Sequence, residues 1–260
     1  MSFEHITLAT ADGIATLTIN RPKVLNALNQ EVLGEISAAL DQAKADDAVK
    51  ALVVTGAGDK AFVAGADINE LAKMNPLGAK ELAARGQGVL AKFERLGKPT
   101  VAMVNGFALG GGLEMALACT LRTGSTTARV GLPEVSLGII PGYGGTQRLT
   151  RIAGPGVARE WVLTGDMYDA AEAHRVGVFN RIFEPAELLD GTMKMVHTIL
   201  SRGPVAVRLA IETINRTMNL GQQEGENVEC DMFGLAATTE DMREGMGAFL
   251  EKRKPAFQGK

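Results

Sequence analysis

The 260 residues carry 27 Lys and Arg against 30 Asp and Glu, a net charge of −3, with 46% hydrophobic and 22% charged residues. A disordered or fibrous chain is excluded, and nucleic acid is a poor default partner. Glycine is in excess, 31 residues where ordinary usage of roughly 7% gives about 18, so the chain needs close backbone more than bulk.

Near the start, Met1-Ser2-Phe3-Glu4-His5 lacks both a basic, apolar leader pattern and an Arg-rich presequence pattern, and a cytoplasmic protein is expected. A turn at Asp12-Gly13 and alternation through Ile14–Ile19, with Ala15, Leu17 and Ile19 on one face, predict a β-hairpin. Asn29 then caps a helix carrying Val32, Leu33, Ile36, Leu40 and Ala43 at helical spacing. A buried strand follows at Ala51–Thr55, a helix through Leu82, Gly86, Leu90, Phe93 and Leu96, and a strand at Thr100–Val104. Gly110-Gly111-Gly112 leads into a helix over Leu113–Ala118, then come strands near Leu121–Thr123 and Arg129–Leu132 and a helix through Gln147–Ile152. The strand signal thins after Trp161. Helices are predicted around Val196–Leu200, Val205–Ile214 and Met242–Leu250, the last with a capping box from Thr238 to Asp241. The class is α/β, divided into a β-rich region, 1–195, and a helical region, 196–260.

Several motifs are set aside. Val101–Cys119 is long enough to span a bilayer, yet four glycines, Asn105 and Glu114 fall inside it, so a buried strand, loop and helix are expected. Gly56-Ala57-Gly58-Asp59-Lys60-Ala61 matches a dinucleotide fingerprint formally, but no helix begins there. His5, His174 and His197 have no metal-ligand spacing, nor do Cys119 and Cys230, so no metal is expected.

The stretch Asn105–Glu114 is informative. Three glycines before a helix leave main-chain N–H groups at its N-terminus, where a developing oxyanion is favoured, and Glu114 lies one turn along on the same face. The competing reading is that the glycines permit tight helix packing and Glu114 is a solvated acid of the first turn. Glu134 lies in an apolar, turn-rich run, Gly131–Gly142, where burial would raise its pKa; alternatively it pairs with Arg148 or Arg151.

These residues resemble the enoyl-CoA hydratase (crotonase) family. The resemblance runs through Asn20–Leu28, Phe62–Ile68, Gly110–Glu114, Pro133-Glu134, Pro141–Leu149, Glu244–Met246 and Phe249–Arg253. It implies a crotonase (ClpP/crotonase-like) fold of repeated ββα units with a C-terminal helical trimerisation region, in trimers or dimers of trimers. It also implies an acyl-CoA thioester substrate, with coenzyme A part of the substrate and no further cofactor. By the same resemblance the amides of Ala66 and Gly111 form the oxyanion hole. Glu114 activates water and Glu134 protonates C2. Lys23, Val24, Leu25, Ala64, Gly65, Asp67 and Ile68, with Ala66 and Gly111, line the substrate and CoA site, and the Ala64 carbonyl approaches adenine. Lys252 reaches CoA phosphates from a neighbouring subunit.

The glutamate pair points to hydration of a trans-2-enoyl-CoA. The alternative is Δ3,Δ2-enoyl-CoA isomerisation on Glu134 alone. A non-catalytic or RNA-binding relative is opposed by the acidic balance and the intact glutamates.

Overall fold

A computed structural model describes residues 3–217 and 219–260. The chain opens with the antiparallel hairpin β1 (Ile6–Ala11) and β2 (Ile14–Ile19), whose two-residue turn has positive φ at both Asp12 and Gly13, the geometry that matches the twist of the strands. A 3-10 turn (Pro22–Val24) leads to α1 (Gln30–Ala45), with the Asn29 side chain accepting from the Val32 N–H as its cap. Three strand–strand–helix units follow. The first is β3 (Ala51–Gly56) and β4 (Ala61–Val63) with a short α2 (Ile68–Leu71) and then α3 (Pro76–Glu94). The second is β5 (Thr100–Val104), β6 (Phe107–Leu109) and α4 (Gly111–Ala118). The third is β7 (Leu121–Ser125), β8 (Arg129–Gly131), a 3-10 turn (Pro133–Leu137) and α5 (Gly145–Thr164).

The first strand of each unit joins a six-stranded sheet, β1-β2-β3-β5-β7-β10, and the second joins a four-stranded sheet, β4-β6-β8-β9. The last members are β9 (Tyr168–Asp169), α6 (Ala170–Arg175) and β10 (Arg181–Phe183), the latter parallel to β7. The repeated ββα reading of the sequence is therefore the observed architecture. Beyond Trp161, where the strand signal thins, two short strands remain. β9 and β10 are only two and three residues long, too short to carry a period, and pairing with β8 and β7 rather than their own composition makes them strands.

β3 is buried on both faces, as a parallel strand must be when both sides of its sheet are covered. Leu52 and Val54 face the main core with α1 and α3, while Ala51 and Val53 face a smaller cluster closed by Leu188 and Val196 of α7 (Leu188–Leu200). The division at 195/196 therefore falls inside a helix that belongs to the sheet. Beyond it lie α8 (Pro204–Thr217), α9 (Gln222–Ala237) and α10 (Glu240–Leu250). The cap of α10 is Thr239, which accepts from the Met242 N–H, not Thr238, whose hydroxyl closes α9 on the Leu235 carbonyl. No helix among the described residues is long and apolar enough to cross a membrane; Val101–Cys119 is β5, β6 and α4 in succession.

Candidate active site

The site grows out of the pairing of β4, β6 and β8 in the smaller sheet. Because β6 and β8 are parallel neighbours, the loops leaving their C-terminal ends, Gly110 before α4 and Pro133–Leu137 after β8, emerge side by side. Gly110 donates its N–H to the Gly131 carbonyl at 2.9 Å and adopts φ 50°, ψ −124°, a conformation open to glycine. A Cβ on Gly110 would stand 2.9 Å from Glu134 Oε1 and 3.8 Å from the Gly65 Cα, so Glu134, the α4 N-terminus and the Gly65-Ala66 segment converge there.

Two main-chain amides at this convergence are free. Leu28 donates to the Gly65 carbonyl and accepts from the Asp67 N–H in a one-residue parallel bridge with Ala66, so Ala66 directs its own N–H away from Leu28. Neither that N–H nor the Gly111 N–H, the first of α4, donates to any described residue. Unsatisfied amides at a helix N-terminus are ready donors to an anion.

Glu114 is buried, only 1% exposed, which removes the solvated-acid reading. Its Oε1 accepts from the Tyr143 N–H at 2.8 Å and the Gly145 N–H at 2.7 Å. Burial pushes its pKa from 4.5 up to about 7, with the Glu134 charge adding to the rise and the two amides and Arg148 opposing it. Tight packing is equally real: a Cβ at Gly112 would collide with the Val63 carbonyl, so that glycine serves α4 against β4.

Glu134 is 9% exposed, and its Oε2 is buried without a hydrogen-bond partner. Burial raises its pKa above the ordinary carboxylate value. The expected alternative partners are engaged elsewhere, Arg148 with Glu94 and Arg151 with Gln147.

The remaining predicted positions, Lys252 apart, fall on two adjoining segments, 23–25 and 64–68. Lys23 and Val24 form the 3-10 turn, Leu25 has φ 52°, and the Leu25 carbonyl accepts from the Ala64 N–H at 3.0 Å. The Ala64 carbonyl accepts from no described residue. Lys23 and Leu25 border an open cleft of about 290 Å³ whose other wall is Ala57–Ala61. Asp67 is occupied structurally: its carboxylate caps α2 through the Asn69 N–H and lies 3.7 Å from Arg21. Ile68 is exposed. Lys252 is exposed after α10 with φ 56°, and no described contact joins it to the residues above.

Sequence reasoning missed three parts. Buried Asn26 donates to the Ala57 and Ala61 carbonyls and accepts from the Arg21 N–H, fixing the two positive-φ residues, Leu25 and Asn26 itself, that follow the Pro22–Val24 turn. The Tyr143 and Gly145 amides hold Glu114, and a Cβ at Gly145 would stand 2.9 Å from the Glu114 Cγ. Tyr143 packs its ring on Gly86 of α3 and on Gly111. The run Gly142-Tyr143-Gly144-Gly145 was the only available signal.

The sequence profile of the family described as "Enoyl-CoA hydratase/isomerase" matches residues 9–260. The chain is 46% identical over 260 residues to the crotonyl-CoA hydratase of Syntrophomonas wolfei, with both chains fully covered. It is 44% identical to the short-chain-enoyl-CoA hydratase of Clostridium acetobutylicum, covering 98% of this chain and 97% of that one. Its fold superposes on the enoyl-CoA hydratase of Bacillus anthracis with a TM-score of 0.95 at 36% identity, covering 99% of this chain and all of the other.

Proposed function

The chain belongs to the enoyl-CoA hydratase/isomerase family, and from that premise we propose that it adds water reversibly across a trans-2-enoyl-CoA to give the 3-hydroxyacyl-CoA. The observation that carries this reading is two buried carboxyls of raised proton affinity beside two unpartnered main-chain amides.

The thioester carbonyl oxygen accepts from the Ala66 and Gly111 amides. Attack of water at C3 moves an electron pair through C2 onto that oxygen, and fixed donors aimed at it stabilise the enolate as it forms. Glu114, about half ionised near pH 7, takes the proton of the attacking water. Glu134, whose proton affinity burial raises, delivers a proton to C2 as the carbonyl re-forms. One water is thereby split between C3 and C2, and proton exchange from Glu114 back to Glu134 resets the pair. Dehydration is the same path reversed.

Coenzyme A enters and leaves as part of the substrate, and no further cofactor is needed. Its nucleotide end lies along Lys23, Val24 and Leu25, with the unpartnered Ala64 carbonyl beside the adenine and Gly65, Asp67 and Ile68 flanking the thioester. The chain acts as a homo-oligomer, a trimer or a dimer of trimers, in which Lys252 of one subunit approaches the CoA phosphates bound by the next. A cytoplasmic location is part of the same reading. The relatives' names make crotonyl-CoA the first substrate to assay. Purified protein should lower the conjugated enoyl-thioester absorbance with crotonyl-CoA to its hydration equilibrium, and no turnover with short or medium trans-2-enoyl-CoA sinks the reading. Glu134 alone can shuttle a proton between C2 and C4, so isomerisation is the side reaction expected to survive Glu114→Gln.

A further inference from the structure

Arg148 stands where a cation is out of place. It is the fourth residue of α5, at the positive end of the helix dipole, and its guanidinium folds back over the helix start so closely that a Cβ at Gly144 would stand 2.5 Å from Nη1. Two sets of bonds hold it there. Nε donates to Glu94 Oε1 at 2.7 Å and Nη2 to Glu94 Oε2 at 3.2 Å, a bidentate fork onto the last residue of α3. Nη1 donates to the Tyr143 carbonyl at 2.7 Å. Tyr143 and its neighbour Gly145 in turn give their N–H groups to Glu114. The Glu94 carbonyl is itself tied to α8 by the Asn215 side-chain amide at 3.1 Å.

We propose that the Arg148–Glu94 pair is a positioning device for Glu114: it fixes the Tyr143 carbonyl, and so keeps the two amides of that loop aimed at the Glu114 carboxylate. This rests on the reading of Glu114 as the base and adds the group that holds it ready. A peptide segment gripped only by its amides could rotate as Glu114 gains and loses its proton, and a salt-bridged arginine on the opposite side of the same segment prevents that. The charged and titratable groups around Glu114 are few. They are Glu134 from the turn after β8, Arg148 from α5 and the Tyr143 phenol, with Glu70 of α2 beyond Tyr143. Among these Arg148 alone is a cation, so it also favours the ionised carboxylate against burial and Glu134.

The test compares Arg148→Gln, Arg148→Lys, Glu94→Gln and, as a control, Arg151→Gln, an exposed arginine of α5 bonded to Gln147 alone. Two readouts are taken on the whole protein. One is the pH profile of kcat and KM with crotonyl-CoA. The other is direct titration of Glu114 by carbon NMR of protein labelled at the glutamate carboxyls, assigned with Glu114→Gln. Arg148→Gln should move the Glu114 midpoint up by about one pH unit and lower kcat at pH 7 roughly five- to tenfold, with little change in KM. Arg148→Lys keeps the charge but not the fork, so kcat falls while the midpoint rises less than in Arg148→Gln. Glu94→Gln leaves the guanidinium loosely held and the amides less well aimed, so kcat falls and the midpoint rises less than in Arg148→Gln. A folded Arg148→Gln that titrates and turns over like the parent overturns the proposal, as does parental kcat in both other variants if Arg148→Gln does not fold. If the parent fails to hydrate crotonyl-CoA the assigned reaction is wrong, whereas the NMR midpoint still decides whether Arg148 governs Glu114.

Discussion

Glu114 is more comfortable as an acid than as a base, and that discomfort has a measurable sign. Its folded pKa of about 7 lies above the 4.5 of an ordinary glutamate, so the native state binds this proton more tightly than the unfolded chain. The favourable contribution is complete below pH 4.5 and disappears as pH rises through 7, a difference on the order of 3 kcal/mol if burial is undiminished. Glu114→Gln cannot ionise, so its stability advantage over the parent should be larger at pH 8 than at pH 5 in urea denaturation. Equal differences at both pH values would mean that the ionised carboxylate is not strained. The same variant should lose hydration by about 10²–10⁴-fold. The glycines beside it separate by what a methyl group would meet. Gly110→Ala points at Glu134 Oε1 and forces a glycine conformation on alanine, so activity should fall steeply. Gly112→Ala meets the Val63 carbonyl, so soluble expression should fail before activity can be measured. A Cβ at Gly111 meets the Tyr143 ring at 3.2 Å, so a bulky residue there should abolish turnover by displacing that ring and the amide together. The two glutamates were legible because their residue type and apolar frames carry the chemistry. The amides that hold Glu114 were not, since a backbone donor has no residue signature, and Arg148 meets Glu94 across 54 positions of sequence.

Among the elements, α5 is two helical segments joined at Gly154, with φ 84° and ψ 161°, followed by Pro155, whose missing N–H suits the first position of a new helix. The expected helix Gln147–Ile152 is the interior of the first segment, and the second, beyond the Gly154-Pro155 break, is an addition the structure makes. Space around Gly154 is open, so Gly154→Ala carries backbone strain alone, about 1–3 kcal/mol. A lowered melting temperature with unchanged kcat is the expected outcome, because the kink lies beyond the helix start that serves Glu114. An unaltered melting temperature would show that the segment adapts. The helix α9 escaped the sequence for a different reason. Of its residues only Gly225 is buried, so no apolar stripe faces this chain's own core. An element that packs within the chain, such as α1 with its six buried apolar residues, advertises itself by period, and α9 has no such stripe.

At the scale of the molecule, the last third of the chain leaves its apolar surface without a partner. Phe233 is 75% exposed, Phe249 81% and Leu250 80%, with Met246 and Leu235 also exposed. Large apolar side chains stand exposed on both α9 and α10, and burial against another copy is the economical way to remove them from water. Because α8 also holds the end of α3 through Asn215 and the Glu94 carbonyl, the helical region is joined to the residues that support Glu114 as well as to the outer surface. Replacing both Phe233 and Phe249 by Asp should therefore convert an oligomer into monomers in sedimentation, with the far-ultraviolet spectrum retained, since neither side chain supports this chain's own core. The parent should in addition melt at a temperature that rises with protein concentration, as expected when folding and association are linked. If Lys252 meets the CoA bound by a neighbour, the monomeric variant should show a raised KM for crotonyl-CoA with a smaller change in kcat, because Ala66, Gly111, Glu114 and Glu134 all come from one chain. A parent that sediments as a monomer at micromolar concentration, or a double variant that sediments like the parent, would show that this apolar surface does not hold subunits together.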